Sequence, residues 1–144
     1  MKNTNITFLV STTNPGTELG FEAWLDRQKV LDINHVQQSI NVSIPVAEDE
    51  AQHVLELVLK GKQSAHTVVN DAGEIVADAV LEISNLAFDD IPLGQIVNEK
   101  TSYTHNFNGT GTTSQHDFFG VMGCNGTVEL KFTTPVYLWL LENM

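Results

Sequence analysis

Apolar and polar residues alternate in short runs along most of this chain, and that period of two constrains the fold more than any other feature. Ile6, Phe8 and Val10 alternate with Thr7, Leu9 and Ser11. Leu19, Phe21, Ala23 and Leu25 alternate with Gly20, Glu22, Trp24 and Asp26. The same holds for Ile40, Val42, Ile44 and Val46, for Leu55, Leu57 and Leu59, for Tyr103, His105 and Phe107, and for Val128, Leu130 and Phe132. Such runs are half-buried strands, because successive side chains of an extended chain point to opposite faces. Turn signals separate them: Asn14-Pro15-Gly16, the polar tip Asp26-Arg27-Gln28-Lys29, the acidic loop Glu48-Asp49-Glu50 and Asn70-Asp71-Ala72-Gly73. Further strands are expected over 80–88 and, broken by Pro92 and Gly94, over 91–97. The ending Val136-Tyr137-Leu138-Trp139-Leu140-Leu141 is apolar on both faces, so it reads as a central strand or a short docked helix. Roughly eight to ten short strands with turns between them predict an all-β protein, an antiparallel β-sandwich or jelly roll. With 144 residues, no repeat and no linker, a single domain spanning 1–144 is the simplest division.

The charge is −11, from 7 Lys+Arg against 18 Asp+Glu. No basic patch interrupts the acidic surface, which excludes a nucleic-acid grip. The run Ile6–Val10 is too short for a signal-peptide core or a membrane span. The expectation is a soluble protein without membrane insertion, present in the cytoplasm where it is made. Cys124 is the single cysteine, so no internal disulfide forms, and its turn-like setting reads as packing. No nucleophile elbow, P-loop, H-E-x-x-H or C-x-x-C motif occurs, so the chain is not expected to be an enzyme.

Two regions carry candidate binding chemistry. The acidic excess concentrates between Glu48 and Glu99, where eleven of the acidic residues fall. Calcium takes six to eight oxygen ligands from loops, so Asp71, Glu74, Asp78, Asp89 and Asp90 are candidate metal ligands. A solvated acidic surface is the competing reading. The Gly-rich stretch from Tyr103 to Asn125 places polar groups among aromatic rings. Tyr103, His105, Asn106, Asn108, His116, Asp117 and Asn125 are candidate glycan ligands, since sugars offer both hydroxyls and apolar C–H faces. The alternative there is a hairpin extension anchored by Phe118-Phe119. His105, His116 and Asp117 also have the chemistry of a metal site. Trp24 falls on the polar side of its strand, with three roles open to it: sugar platform, interface residue, or a ring covered by the rest of the chain.

Two resemblances add to this. The segments Phe21-Glu22-Ala23-Trp24-Leu25-Asp26 and His53-Val54-Leu55-Glu56-Leu57-Val58-Leu59, with the turn-rich middle, resemble the strand grammar of β-sandwich carbohydrate-binding modules of the calcium-dependent xylan-binding kind. That resemblance implies a non-catalytic, lectin-like domain with a glycan partner and calcium as an assisting ion. His66-Thr67, Asp71-Ala72-Gly73-Glu74-Ile75, Tyr103-Thr104-His105, Gly120-Val121-Met122-Gly123-Cys124-Asn125-Gly126 and Pro135-Val136-Tyr137-Leu138-Trp139-Leu140-Leu141-Glu142 resemble small uncharacterised proteins of marine cyanophages. That one implies a phage origin and a place on the virion. The alternative function is accordingly an oligomeric virion or assembly protein whose partner is another protein or a second copy.

Overall fold

A computed structural model describes residues 3–13, 16–62, 67–105 and 113–143. Its strands are β1 (Asn3–Thr12), β2 (Gly20–Leu25), β3 (Gln28–Ile33), β4 (Ile40–Ala47), β5 (Gln52–Lys60), β6 (Thr67–Val69), β7 (Ile75–Asp78), β8 (Leu81–Phe88), β9 (Ile91–Pro92), β10 (Thr101–His105), β11 (Ser114–Asp117), β12 (Val121–Met122) and β13 (Gly126–Thr133). Two short helices join them, α1 (Ile96–Lys100) and α2 (Val136–Asn143). The first sheet has the order β12-β8-β1-β4, with β9 paired to β8. The second has the order β11-β10-β13-β5-β2-β3. All pairings are antiparallel. Strands β6 and β7 form a separate hairpin. The expected antiparallel β-sandwich is what the chain adopts.

Alternation explains the register. In β1, Ile6, Phe8 and Val10 are buried and meet Ile44, Val42 and Ile40 of β4 across the pair. In β5, Leu55, Leu57 and Leu59 are buried and stand beside Leu130, Val128 and Gly126 of β13. A one-residue slip would turn each of these sets to water, so burial pins the pairing. The two inner faces meet through Phe8 and Phe21, with ring centroids 6.1 Å apart, and through Phe88 and Phe132 at 5.0 Å. One irregularity interrupts the first sheet. Asn85 and Leu86 of β8 together oppose Phe8, and Asn85 takes φ 58°, a bulge.

The ending is the helix of the two alternatives. Its buried residues Val136, Trp139 and Leu140 have the i, i+3, i+4 spacing of one helix face. Trp139 closes one end of the sandwich, packing on Phe88 of the first sheet at 5.7 Å and on Phe132 of the second at 6.4 Å. Two expectations need correction. Residues 91–97 do not form a strand: pairing stops after Pro92 and the chain turns into α1, which buries Ile96. The Gly-rich stretch, for which no strand after 107 is expected, contains β11, which has no apolar residue, and β12, which is only two residues long, so alternation marks neither.

Candidate functional site

The outer face of the second sheet is polar, and Trp24 lies on it, half-buried, beside Glu56 of the neighbouring strand. Strand parity puts Phe21 and Ala23 into the core, so Glu22 and Trp24 must face out. The indole is held in place. Its Nε1–H donates to Glu22 Oε1 at 2.9 Å, and the Lys29 ammonium lies 5.8 Å from the ring centroid. Glu22 in turn accepts from Lys60 Nζ at 2.9 Å. Lys60 also pairs with Asp32, which Lys29 reaches at 3.0 Å. The hydrogen bond from Lys60, reinforced by that from Trp24, holds the Glu22 carboxyl below its ordinary range. Bonds to Lys60 and then Lys29 do the same for Asp32. Both acids are therefore anionic at neutral pH. Glu22, Trp24, Arg27, Glu56 and Val58 line a shallow pocket of about 330 Å³. An anchored aromatic ring bordered by carboxylates and a guanidinium suits a ligand with apolar faces and many hydroxyls.

A second cluster sits at the end of the sandwich closed by α2. His53 takes the inner side of β5, where its ring stacks on Phe132 with centroids 5.6 Å apart. Its Nδ1 is 2.6 Å from Asp26 Oδ2, and its Nε2 is 2.8 Å from Asp49 Oδ1. Thr134 donates its hydroxyl to Asp49 at 3.1 Å. A cleft of about 410 Å³ opens beside this cluster, with Gln52, Lys131, Thr133 and Trp139 in its walls. His53 is not among the candidate site residues that the sequence offers. The usable signal was its parity: it follows the core side of Leu55 and Leu57, and a histidine there requires polar partners.

The residues expected between Tyr103 and Asn125 have other surroundings. Tyr103 is buried; its hydroxyl donates to the Cys124 carbonyl and accepts from the Cys124 N–H at 2.9 Å. Burial pushes this phenol up to about 12 and also pushes the Cys124 thiol up, so neither is an anion at neutral pH. Asn125 grips the backbone of Lys62, accepting from its N–H and donating to its carbonyl, each at 2.8 Å. His105 is buried, and its Nε2 lies 3.1 Å from His116 Nε2. Burial, and then the neighbouring His116, hold His105 below its usual value. Asp117 is exposed and pairs with Ser102 on the opposite side of β11 from His116, so it does not complete a triad with the two histidines. Asn106 and Asn108 lie outside the described residues. Trp24 and His116-Asp117 are not in one concavity. Four strand spacings separate β2 from β11, roughly 19 Å.

The acidic candidates are dispersed. Asp71 and Glu74 are exposed on the β6–β7 turn, which Asn70 organises by accepting from Ala72 and Glu74 N–H groups. Asp78 pairs with the buried Lys62 ammonium at 2.6 Å. Asp89 accepts from the Asn5 N–H at 2.8 Å and from the Tyr137 hydroxyl at 3.1 Å. Asp89 and Asp90 have φ of 48° and 67°, a tight two-residue turn between β8 and β9. Asp78 and Asp89 flank opposite ends of β8. Among the described residues no group of three or more His, Cys, Asp or Glu is arranged to hold a metal ion. The five carboxylates do not gather into one cluster.

One solved structure, described as vCBM60 in complex with galactobiose, resembles this chain with a TM-score of 0.51. The two share a fold. The match covers 88% of this chain and 96% of the other, at 8% identity. No protein-family model and no curated protein matches the sequence. The likeness concerns the path of the backbone, so the chemistry of the surface has to be argued from the side chains present here.

Proposed function

We propose that this protein is a non-catalytic carbohydrate-binding β-sandwich that holds a sugar ring on Trp24. The observation that carries the reading is the tethered indole on an open sheet face. Its N–H is satisfied by Glu22, so the ring keeps one orientation without a ligand and loses little freedom when one stacks on it. Glu56 and Arg27 at the pocket rim supply an acceptor and donors for hydroxyls. The structural neighbour holds galactobiose, which makes galactosides the first glycans to try, and the resemblance to xylan-binding modules adds xylans. Calcium, expected from the acidic excess between Glu48 and Glu99 and from the resemblance to calcium-dependent modules, has no part in this binding, since the candidate carboxylates do not gather at the Trp24 pocket.

Isothermal titration with galactobiose, galactan, xylan and cellulose fragments tests the reading. Binding to at least one is expected, with Trp24→Ala weakening it about tenfold or more, equivalent to about 1.4 kcal/mol or more. Failure of every glycan would defeat it.

A second reading is favoured by one observation. Tyr137, Leu138 and Leu141 are 42%, 58% and 70% exposed on the outer side of α2. An apolar surface of this kind suits a protein contact, as in an oligomeric virion or assembly component. Light scattering across concentrations, and mass spectrometry of purified phage particles, distinguish the two.

A further inference from the structure

His53 has a carboxyl oxygen at each ring nitrogen, Asp26 Oδ2 at 2.6 Å and Asp49 Oδ1 at 2.8 Å. A neutral imidazole carries one N–H and one lone pair, so it can donate to only one of them. The imidazolium donates to both. The other groups around the ring are Phe132, stacked on it, and Thr134, whose hydroxyl donates to Asp49. Among the described residues, Lys131 is the remaining charged side chain lining the adjoining cleft.

Asp26 connects this cluster to the sugar pocket. It is the first of the two residues between β2 and β3. Its carboxylate accepts from the Val54 N–H at 2.9 Å, and its own N–H donates to the Val54 carbonyl at 2.9 Å. The second residue, Arg27, lines the Trp24 pocket. Asp26 and Arg27 have φ of 50° and 68°, left-handed values that cost a side-chain-bearing residue energy and need outside support.

We propose that His53 is a positioning residue for the Trp24 pocket: its proton clamps Asp26, fixes the β2–β3 tip, and so keeps Arg27 at the pocket rim. The functional meaning rests on the glycan reading of that pocket, whereas the clamp does not. Binding then depends on pH. Burial by itself lowers the His53 pKa, but the hydrogen bonds to Asp26 and Asp49 outweigh it and the net shift is upward from 6.5. The clamp is whole below about 6.5, the unfolded value. It is lost as the pH rises through the raised folded value, when one carboxylate faces a bare lone pair.

Nitrogen-edited proton NMR from pH 5 to 9 reads the tip and the pocket without any sugar, through the Arg27 amide and the Trp24 indole N–H, the latter assigned with Trp139→Phe. In the wild type both signals are expected to follow the midpoint of His53. In His53→Gln that titration disappears, and in Asp49→Asn the midpoint moves down because one stabilising anion is gone. Galactobiose affinity is expected to be at least threefold weaker at pH 9 than at pH 5.5 in the wild type, and equal at the two in His53→Gln. Signals that stay flat through the His53 titration, or that titrate unchanged in His53→Gln, overturn the proposal. If His53→Gln does not fold, Asp49→Asn decides: an unmoved midpoint overturns it. Signals that follow His53 while galactobiose binds at no pH uphold the clamp and count against the glycan reading alone.

Discussion

At the scale of single residues, buried polar groups settle which candidates are free to bind. The Lys62 side chain is 0% exposed, and its ammonium donates to Asp78, to the Ala79 carbonyl and to the Gly123 carbonyl. Asn125 holds the same residue by its backbone. Two residues that suggested a metal site and a sugar site, Asp78 and Asn125, are thus employed around one buried cation. Lys62→Met leaves the Ala79 and Gly123 carbonyls without their donor, while Asp78, 30% exposed, can turn to water. The substitution is therefore expected to lower stability by about 2 kcal/mol in urea unfolding. A loss below about 1 kcal/mol would mean that this lysine is not the pin described. The carboxylates of such a network could not be assigned from sequence, because Asp78 and Lys62 lie sixteen positions apart with no local pattern linking them.

At the scale of elements, periodicity carried the strands and failed where it was weak. The runs around Ile6, Phe21, Ile40, Leu55 and Val128 were legible because each alternates over at least two buried positions. Strand β11, with the sequence SQHD, has no apolar residue to mark a face, and pairing with β10 alone makes it a strand. Of the candidate site, Trp24 was legible from parity, whereas the His53 clamp depended on two loops meeting in space. Helix α2 shows the same dependence on tertiary packing. Trp139 spans both sheets, and Trp139→Ala is expected to cost about 3–5 kcal/mol by thermal or urea unfolding. An unchanged midpoint would show that α2 does not close the sandwich end.

At the scale of the whole molecule, the acidic balance and the fold have to be reconciled with a ligand. The charge of −11 is carried in part by turns at opposite ends of β8 and by the carboxylates of the clamp. Without a carboxylate cage in the described residues, added calcium is expected to leave the melting temperature and glycan affinity unchanged, and chelator likewise. A calcium-dependent rise in melting by scanning fluorimetry would reopen the metal reading. On the outer sheet face the charges offset one another, with Glu22, Asp32 and Glu56 standing among Lys29, Lys60 and Arg27, so the proposed pocket presents no net acidic field to a neutral sugar. Chemical-shift mapping with the neutral disaccharide galactobiose on nitrogen-labelled protein tests sugar binding at Trp24 most directly. Shifts are expected to concentrate at Glu22, Trp24, Arg27, Glu56 and Val58; shifts confined to the His105–His116 edge, or none at millimolar sugar, would contradict binding at that pocket.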